Sequence, residues 1–149
     1  MYSRIVVGID GSELASKALR HAIGLAKENK ARLFVVTSTE PSVLLAPGAE
    51  MMAVNTADFI AELEEVKSSS AQATLTEAEA LAAAEGLTIE KIHVSSSTAA
   101  DAIVTTAERQ GASLIVMGSH GRRGLGRLLL GSQAAEVLAR ATIPVLVVK

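Results

Sequence analysis

The sequence predicts a doubly wound α/β domain, a parallel sheet with helices on both faces, and three observations carry that prediction. Five short β-branched or aliphatic runs alternate with four segments of helical periodicity along the 149 residues. The runs are mostly apolar at successive positions rather than at every second one, as in strands covered on both faces. No repeat or linker divides the chain, so one domain over residues 1–149 is expected, large enough to bury a proper core. Right-handed crossovers between alternating strands and helices then give the doubly wound arrangement.

The first run, Ile5-Val6-Val7-Gly8-Ile9, stops at Asp10-Gly11. Ser12 stands where a helix N-cap belongs, and Leu14, Ala15, Ala18, Leu19, Ala22, Ile23, Leu25 and Ala26 follow at helical spacing. Leu33-Phe34-Val35-Val36 is the second strand. A loop containing Pro41, Pro47 and Gly48 runs to about Asn55, a length typical of ligand-covering or mobile segments. A long helix is expected from Thr56 to Glu85, with Phe59, Ile60, Leu63, Val66, Leu75 and Ala78 on its apolar stripe. Ser68-Ser69-Ser70 is expected to bend it, because hydroxyls compete for backbone partners. Gly86 ends this helix, and Leu87 to Val94 form the third strand. Thr98 caps the next helix, with Asp101 three residues on, and Gly111 closes it. Leu114 to Met117 is the fourth strand, a helix runs from Ser132 to about Ala141, and Pro144 to Val148 is the fifth strand. Proline at a strand start is tolerated because its missing N–H is not needed there.

Composition narrows the function classes. No apolar run approaches the roughly 18 residues of a membrane span, so no membrane insertion is expected. The N-terminus enters a strand pattern without a charged-then-apolar leader, and there are no cysteines; a cytoplasmic location fits both. Net charge is −2, against a general nucleic-acid binder, and the three aromatics (Tyr2, Phe34, Phe59) supply no stacking platform. The charge is unevenly spread: residues 111–149 carry +4 and residues 1–110 carry −6. Arg122, Arg123 and Arg127 concentrate the positive charge in one loop, which suits a small anion.

That loop is the informative segment. Gly118-Ser119-His120-Gly121 is followed by nine residues, Arg122 to Leu130, and then by Gly131-Ser132. It joins the fourth strand to the last helix, and a glycine-bearing strand-to-helix loop lets backbone N–H groups approach phosphate. Five glycines in the fourteen residues 118–131 exceed what a packing turn needs. Two familiar phosphate loops are excluded. Gly126-x4-Gly131 has the Walker glycine spacing, but Ser132 stands where the lysine belongs, and the Gly-x-Gly-x-x-Gly order is absent. In an open parallel sheet, ligands bind beyond the carboxyl ends of the strands where the strand order reverses. Asp10, at the end of the first strand, carries two readings: an acceptor for an adenine amine or ribose hydroxyl, and a cap for the first helix. Arg122, Arg123 and Arg127 either screen phosphates or are surface charges. His21 and His93 read as structural or surface residues, and His120 as a loop former. No His/Asp/Glu cluster has metal-ligand spacing, so a divalent ion is expected only with nucleotide phosphates.

With these residues in place, the chain resembles the universal stress protein family in its ATP-binding branch. The family motif Gly-x2-Gly-x9-Gly-Ser/Thr is matched by Gly118, Gly121, Gly131 and Ser132. The opening Ile5 to Ser12 and the ending Ile143 to Val148 agree as well, so the resemblance spans essentially the whole chain. It implies an adenine nucleotide alpha hydrolase-like fold, a five-stranded sheet in the order 3-2-1-4-5. It also implies a homodimer paired through the last strands, here Val145 to Val148, with a higher oligomer as an extension. Carried over by position, Gly8 and Asp10 would lie near the ribose and adenine, and Ser38 would present backbone groups to the base. Met117 and Gly118 would flank the ribose, and Gly121, Gly131, Ser132 and Gln133 would hold the phosphates, with Arg122 beside them. The hydroxyl runs Thr37-Ser38-Thr39 and Ser95-Ser96-Ser97-Thr98 depart from the family pattern and read first as solvated loop and cap chemistry. The expected function is a regulatory stress-response protein that senses nucleotide state by binding ATP, or ADP or AMP, with Mg2+. Its partner would be a protein such as a membrane transporter. A slow ATP hydrolase or phosphoryl- or nucleotidyl-transfer enzyme is the alternative, and a nucleotide-free dimeric scaffold the third. Against catalysis stand the missing Walker lysine and the lack of an evident general base.

Overall fold

The structure is a computed structural model that describes residues 1–42, 53–121 and 129–149. The chain runs β1 (Arg4–Gly8), α1 (Glu13–Asn29), β2 (Arg32–Thr39), α2 (Ala53–Ala84), β3 (Ile89–Ser95), α3 (Ala99–Gln110), β4 (Leu114–Gly118), α4 (Ser132–Arg140) and β5 (Val145–Val148). The five strands form one parallel sheet in the order β3-β2-β1-β4-β5. This is the expected topology, and the order reverses between β1 and β4.

Alternation along each strand divides the core into two layers. Ile5 and Val7 of β1, with Leu33, Val35, Leu114 and Val116, pack against Ala18, Leu19, Ala22 and Ile23 of α1 and Leu75, Ala78 and Ala82 of α2. Val6, Phe34, Val36, Ile115 and Met117 face the other way, onto Ile103, Val104 and Ala107 of α3 and Ala134 and Val137 of α4. Both faces of the central strands are thus withdrawn from water, which is why β1 reads as an unbroken apolar run.

Element ends follow local hydrogen bonding. Ser12 caps α1, its hydroxyl accepting from the Ala15 N–H at 3.2 Å, and Thr98 caps α3 through the Asp101 N–H at 3.2 Å. Gly111 closes α3 and Gly86 follows α2, both at positive φ. Boundaries differ from the sequence reading chiefly at β2, α2 and β3. β2 continues past Val36 to Thr39 because β3 pairs with it as far as Ser95. α2 begins at Ala53, before Thr56, and ends at Ala84. β3 starts at Ile89 rather than Leu87, since the Leu87 N–H is still bonded to the Ala82 carbonyl of α2. α2 also continues through Ser68-Ser69-Ser70 without a break, and it is Thr74 and Thr76 that bond back to carbonyls four residues earlier.

Candidate functional site

A cleft of about 970 Å³ lies over the carboxyl ends of β1, β2 and β4. It is lined by Gly8, Asp10, Ser38, Met117, Gly118, Gly121, Gly131, Ser132 and Gln133, the sequence-predicted site residues that fall within the described segments. Arg122, like Arg123 and Arg127, lies outside the described residues. The topology brings these positions together because β1 and β4 are neighbours on either side of the reversal.

Of the two readings of Asp10, the structure bears on the helix cap. The helix cap is Ser12, whereas Asp10 Oδ1 accepts the Ser12 N–H at 2.9 Å and so shapes the turn before α1. Its other carboxylate oxygen lies over Gly121, where a Cβ would overlap it. Asp10 thereby joins the end of β1 to the loop after β4. Gly131 has an equally specific role: its N–H donates to the Ser119 carbonyl at 2.7 Å, and an added Cβ would stand 3.0 Å from that oxygen and 3.1 Å from His120 Cα. The two halves of the glycine motif are stitched together by backbone. Gly131 therefore spends its N–H on the fold, while Ser132, Gln133 and Ala134 form the first turn of α4, which has no side-chain cap. Such a turn presents N–H groups and the positive end of the helix dipole to the cleft.

The other predicted residues sit as follows. Gly8 lines the cleft, and the space of its missing Cβ is taken by Ile103 of α3. Met117 is buried beneath the cleft floor. Ser38 lies at the end of β2, one residue before Thr39. The Val36 carbonyl accepts from Ile9 and the Thr39 carbonyl from Ser97, on opposite sides of β2. Alternation therefore turns the backbone groups of Ser38 toward the β1 side, where β1 has already ended. The Gln133 Oε1 is engaged by the Ala100 N–H at 2.9 Å, a bond the sequence did not foretell.

The hydroxyl runs are solvated only in part: Ser95 and Ser96 are exposed, as expected. Thr37 and Ser97 are buried, and Thr37, Ser38 and Thr39 line the cleft; only Thr98 fits the simple cap description. Thr39 Oγ1 also meets His93 Nε2 at 2.9 Å, which gives His93 its structural place, while His21 is exposed on α1. His120 lines the cleft with its Nδ1 3.3 Å from Ser119 Oγ.

Sequence reasoning missed the far wall. Leu63, Lys67, Ser70 and Thr74 of α2 line the cleft, as do Ala99, Ala102 and Ile103 of α3. Lys67 Nζ donates to the Glu40 carbonyl at 2.8 Å, and Glu64 accepts the Ser42 N–H at 2.8 Å, so α2 clasps the chain as it leaves β2. That N–H is the main cause holding the Glu64 carboxyl below its ordinary range. The polar residues within the expected apolar stripe of α2, at helical spacing from Leu63, were the available signal. Among the described residues there is no group of three His, Asp or Glu side chains placed to hold a metal ion.

The chain matches the universal stress protein family over residues 1–149. It belongs to that family. Universal stress protein MJ0531 of Methanocaldococcus jannaschii is 36% identical over 151 residues, covering 100% of this chain and 83% of the relative. Two solved family structures carry adenine nucleotides. One, a universal stress protein in complex with cAMP, is 28% identical with a TM-score of 0.70, covering 98% of this chain and 95% of its own. The other, from Archaeoglobus fulgidus in complex with dAMP, is 25% identical with a TM-score of 0.69, covering 99% and 98%. The fold of this family member is accordingly the adenine nucleotide alpha hydrolase-like one. No helix among its described residues is long and apolar enough to cross a membrane.

Proposed function

We propose that this universal stress protein family member is a cytoplasmic, one-domain regulatory protein that binds an adenine nucleotide in the β1–β4 cleft. ATP is the expected ligand, with ADP and AMP binding through the same base and ribose contacts. One observation carries the reading: the uncapped first turn of α4 is held by the Gly131–Ser119 bond against the Gly118–Gly121 bend, with Asp10 opposite. An acceptor-rich, negatively charged group complements such a turn, because directed N–H bonds to an anion contribute about 1.5–3 kcal/mol each. The cAMP and dAMP held by the two family structures support adenine as the base. Asp10 and the backbone of Ser38 are the groups assigned to ribose and adenine. Ser132 and the first-turn N–H groups of α4 are assigned to phosphate, with Arg122 added from the sequence motif. The Asp10 carboxylate is already committed to a turn and to the Gly121 contact, so a Mg2+ ion would be held by phosphate oxygens rather than by a protein cage.

The structural logic favours sensing over turnover. Asp10 serves geometry, and the other acidic residue among the described residues that lines the cleft, Glu40, follows the end of β2, where Lys67 holds its backbone carbonyl. Occupancy would instead fix the position of α4 and of the loop after β4, altering the surface offered to a second copy or to a protein partner such as a membrane transporter. Calorimetric titration of the purified protein with ATP and Mg2+ tests the reading. Saturable binding in the micromolar range is expected, with adenosine binding more weakly; no heat of binding at millimolar ATP would overturn it.

A further inference from the structure

α3 and α4 cover the same side of the sheet, and both ends of α4 are tied to two consecutive residues of α3. The Ala100 N–H donates to Gln133 Oε1 at 2.9 Å, and Arg140 Nη2 donates to the Asp101 carboxylate at 3.0 Å. Ala100 is the second residue of α3, so its N–H belongs to the first-turn donors that an α-helix leaves without an internal acceptor. Thr98 serves the neighbouring donor, Asp101. Gln133, second in α4, therefore caps a different helix from its own. The partner being an N–H, the side-chain atom that meets it must be the amide oxygen, which has no attraction for a phosphate.

We propose that Gln133 is a positioning residue for the phosphate end of the cleft, which deepens the nucleotide-binding reading and rests on it. The motif reading made Gln133 a phosphate ligand; its side-chain oxygen is engaged in holding the first turn of α4 against the first turn of α3. The consequence is geometric. α3 contributes Ala99, Ala102 and Ile103 to the cleft wall, and α4 contributes its uncapped first turn. The Gln133–Ala100 bond fixes the distance between that wall and those donors. Loosening it displaces the donors from a ligand's phosphates while leaving the base and ribose contacts near Asp10 and Ser38 in place. The Arg140 tether lies at the other end of α4, two turns from the phosphate end, and governs the seam but not the donors.

Gln133→Met tests the assignment, since it keeps side-chain length and removes the acceptor. Calorimetry with ATP and with adenosine is combined with hydrogen exchange of the Ala100 amide followed by NMR. ATP affinity is expected to fall roughly 10–150-fold, the scale of one lost charge-assisted hydrogen bond, while adenosine affinity stays within about twofold. Ala100 exchange should quicken in the same variant, and Gln133→Glu, which retains an acceptor, should restore its protection. Arg140→Met should lower the melting temperature yet leave the ATP-to-adenosine affinity ratio as in wild type. Loss of ATP affinity with Ala100 protection intact would make Gln133 a direct ligand and overturn the proposal. Lost protection with an unchanged ratio would make it merely structural and overturn it too. Both of those outcomes leave nucleotide binding by wild type standing, whereas wild type that binds no ATP removes that reading and this one together.

Discussion

At the level of single residues, the site depends on atoms that are absent. A methyl group on Gly121 would overlap the Asp10 carboxylate, which is simultaneously holding the turn before α1 through the Ser12 N–H. Asp10 cannot retreat without giving up that turn. Gly121→Ala is therefore expected to weaken ATP binding at least tenfold, equivalent to about 1.4 kcal/mol, by moving Asp10 away from the ribose and adenine side. Calorimetry against wild type checks this; affinity within twofold of wild type would show that Asp10 has room the structure does not suggest. The positions of these glycines were legible in the sequence, because Gly-x2-Gly-x9-Gly-Ser is a spacing. Their reasons were not. Gly131 reads as a phosphate donor in the motif, but its N–H is spent on the Ser119 carbonyl. Gly8 reads as a ribose neighbour, but the volume it leaves is filled by Ile103, more than ninety residues away. Which neighbour fills a missing Cβ is decided by tertiary packing, and nothing local to the glycine announces it.

At the level of elements, strands and helices were readable because buried parallel strands and amphipathic helices have distinct periods, and because serine, threonine and glycine mark helix ends. The lining role of α2 was not. At 32 residues it is roughly 48 Å long, yet its described core contacts begin only at Ala71 and continue through Leu75, Ala78 and Ala82. The preceding two turns reach over the strand ends, and the Leu63 to Thr74 wall depends on that crossing. Glu64, whose carboxylate accepts the Ser42 N–H, reports it. Its carboxyl is depressed, so this clasp is fully formed above the ordinary carboxyl range and is lost as pH falls through the lowered value. An NMR titration should show the Ser42 amide shift inflecting below the range of an unperturbed glutamate, and Glu64→Gln should abolish that inflection. An inflection at the ordinary value would mean that the bond does not persist in solution. Glycine in a helix is the converse case. Gly24 lies inside α1, and a Cβ there would meet nothing within 4 Å. Gly24→Ala should stabilise the fold by about 0.5–1 kcal/mol through helix propensity, seen as a higher denaturation midpoint. A lower midpoint would reveal a close neighbour in solution, such as a second copy against this face of α1.

At the level of the whole molecule, the sheet has two edges, β3 and β5. β5 is a four-residue edge strand with Leu146 at 36% exposure and Leu138 of α4 at 44%. An exposed apolar edge of this kind is a template for another strand. The family resemblance implies antiparallel pairing of two copies there, and hydrogen bonding indicates which groups would be used. The Pro144 and Val148 carbonyls accept from Ile115 and Ser119 on the β4 side. By alternation, the backbone groups of Val145 and Val147 point outward. Val147→Pro thus deletes an outward donor while leaving the inner ladder to β4 its acceptors, and proline is tolerated on edges for that reason. In a two-fold dimer each such donor occurs twice, so the substitution removes two interchain bonds, about 1–3 kcal/mol in all. The dimer dissociation constant should rise roughly 5–150-fold, which sedimentation over a dilution series would register as monomer at concentrations where wild type is dimeric. Circular dichroism matching wild type would confirm that the inner ladder survives. If the proline variant dimerises as tightly as wild type, the edge strand is not the interface, and the exposed leucines of α4 and β5 must serve another contact.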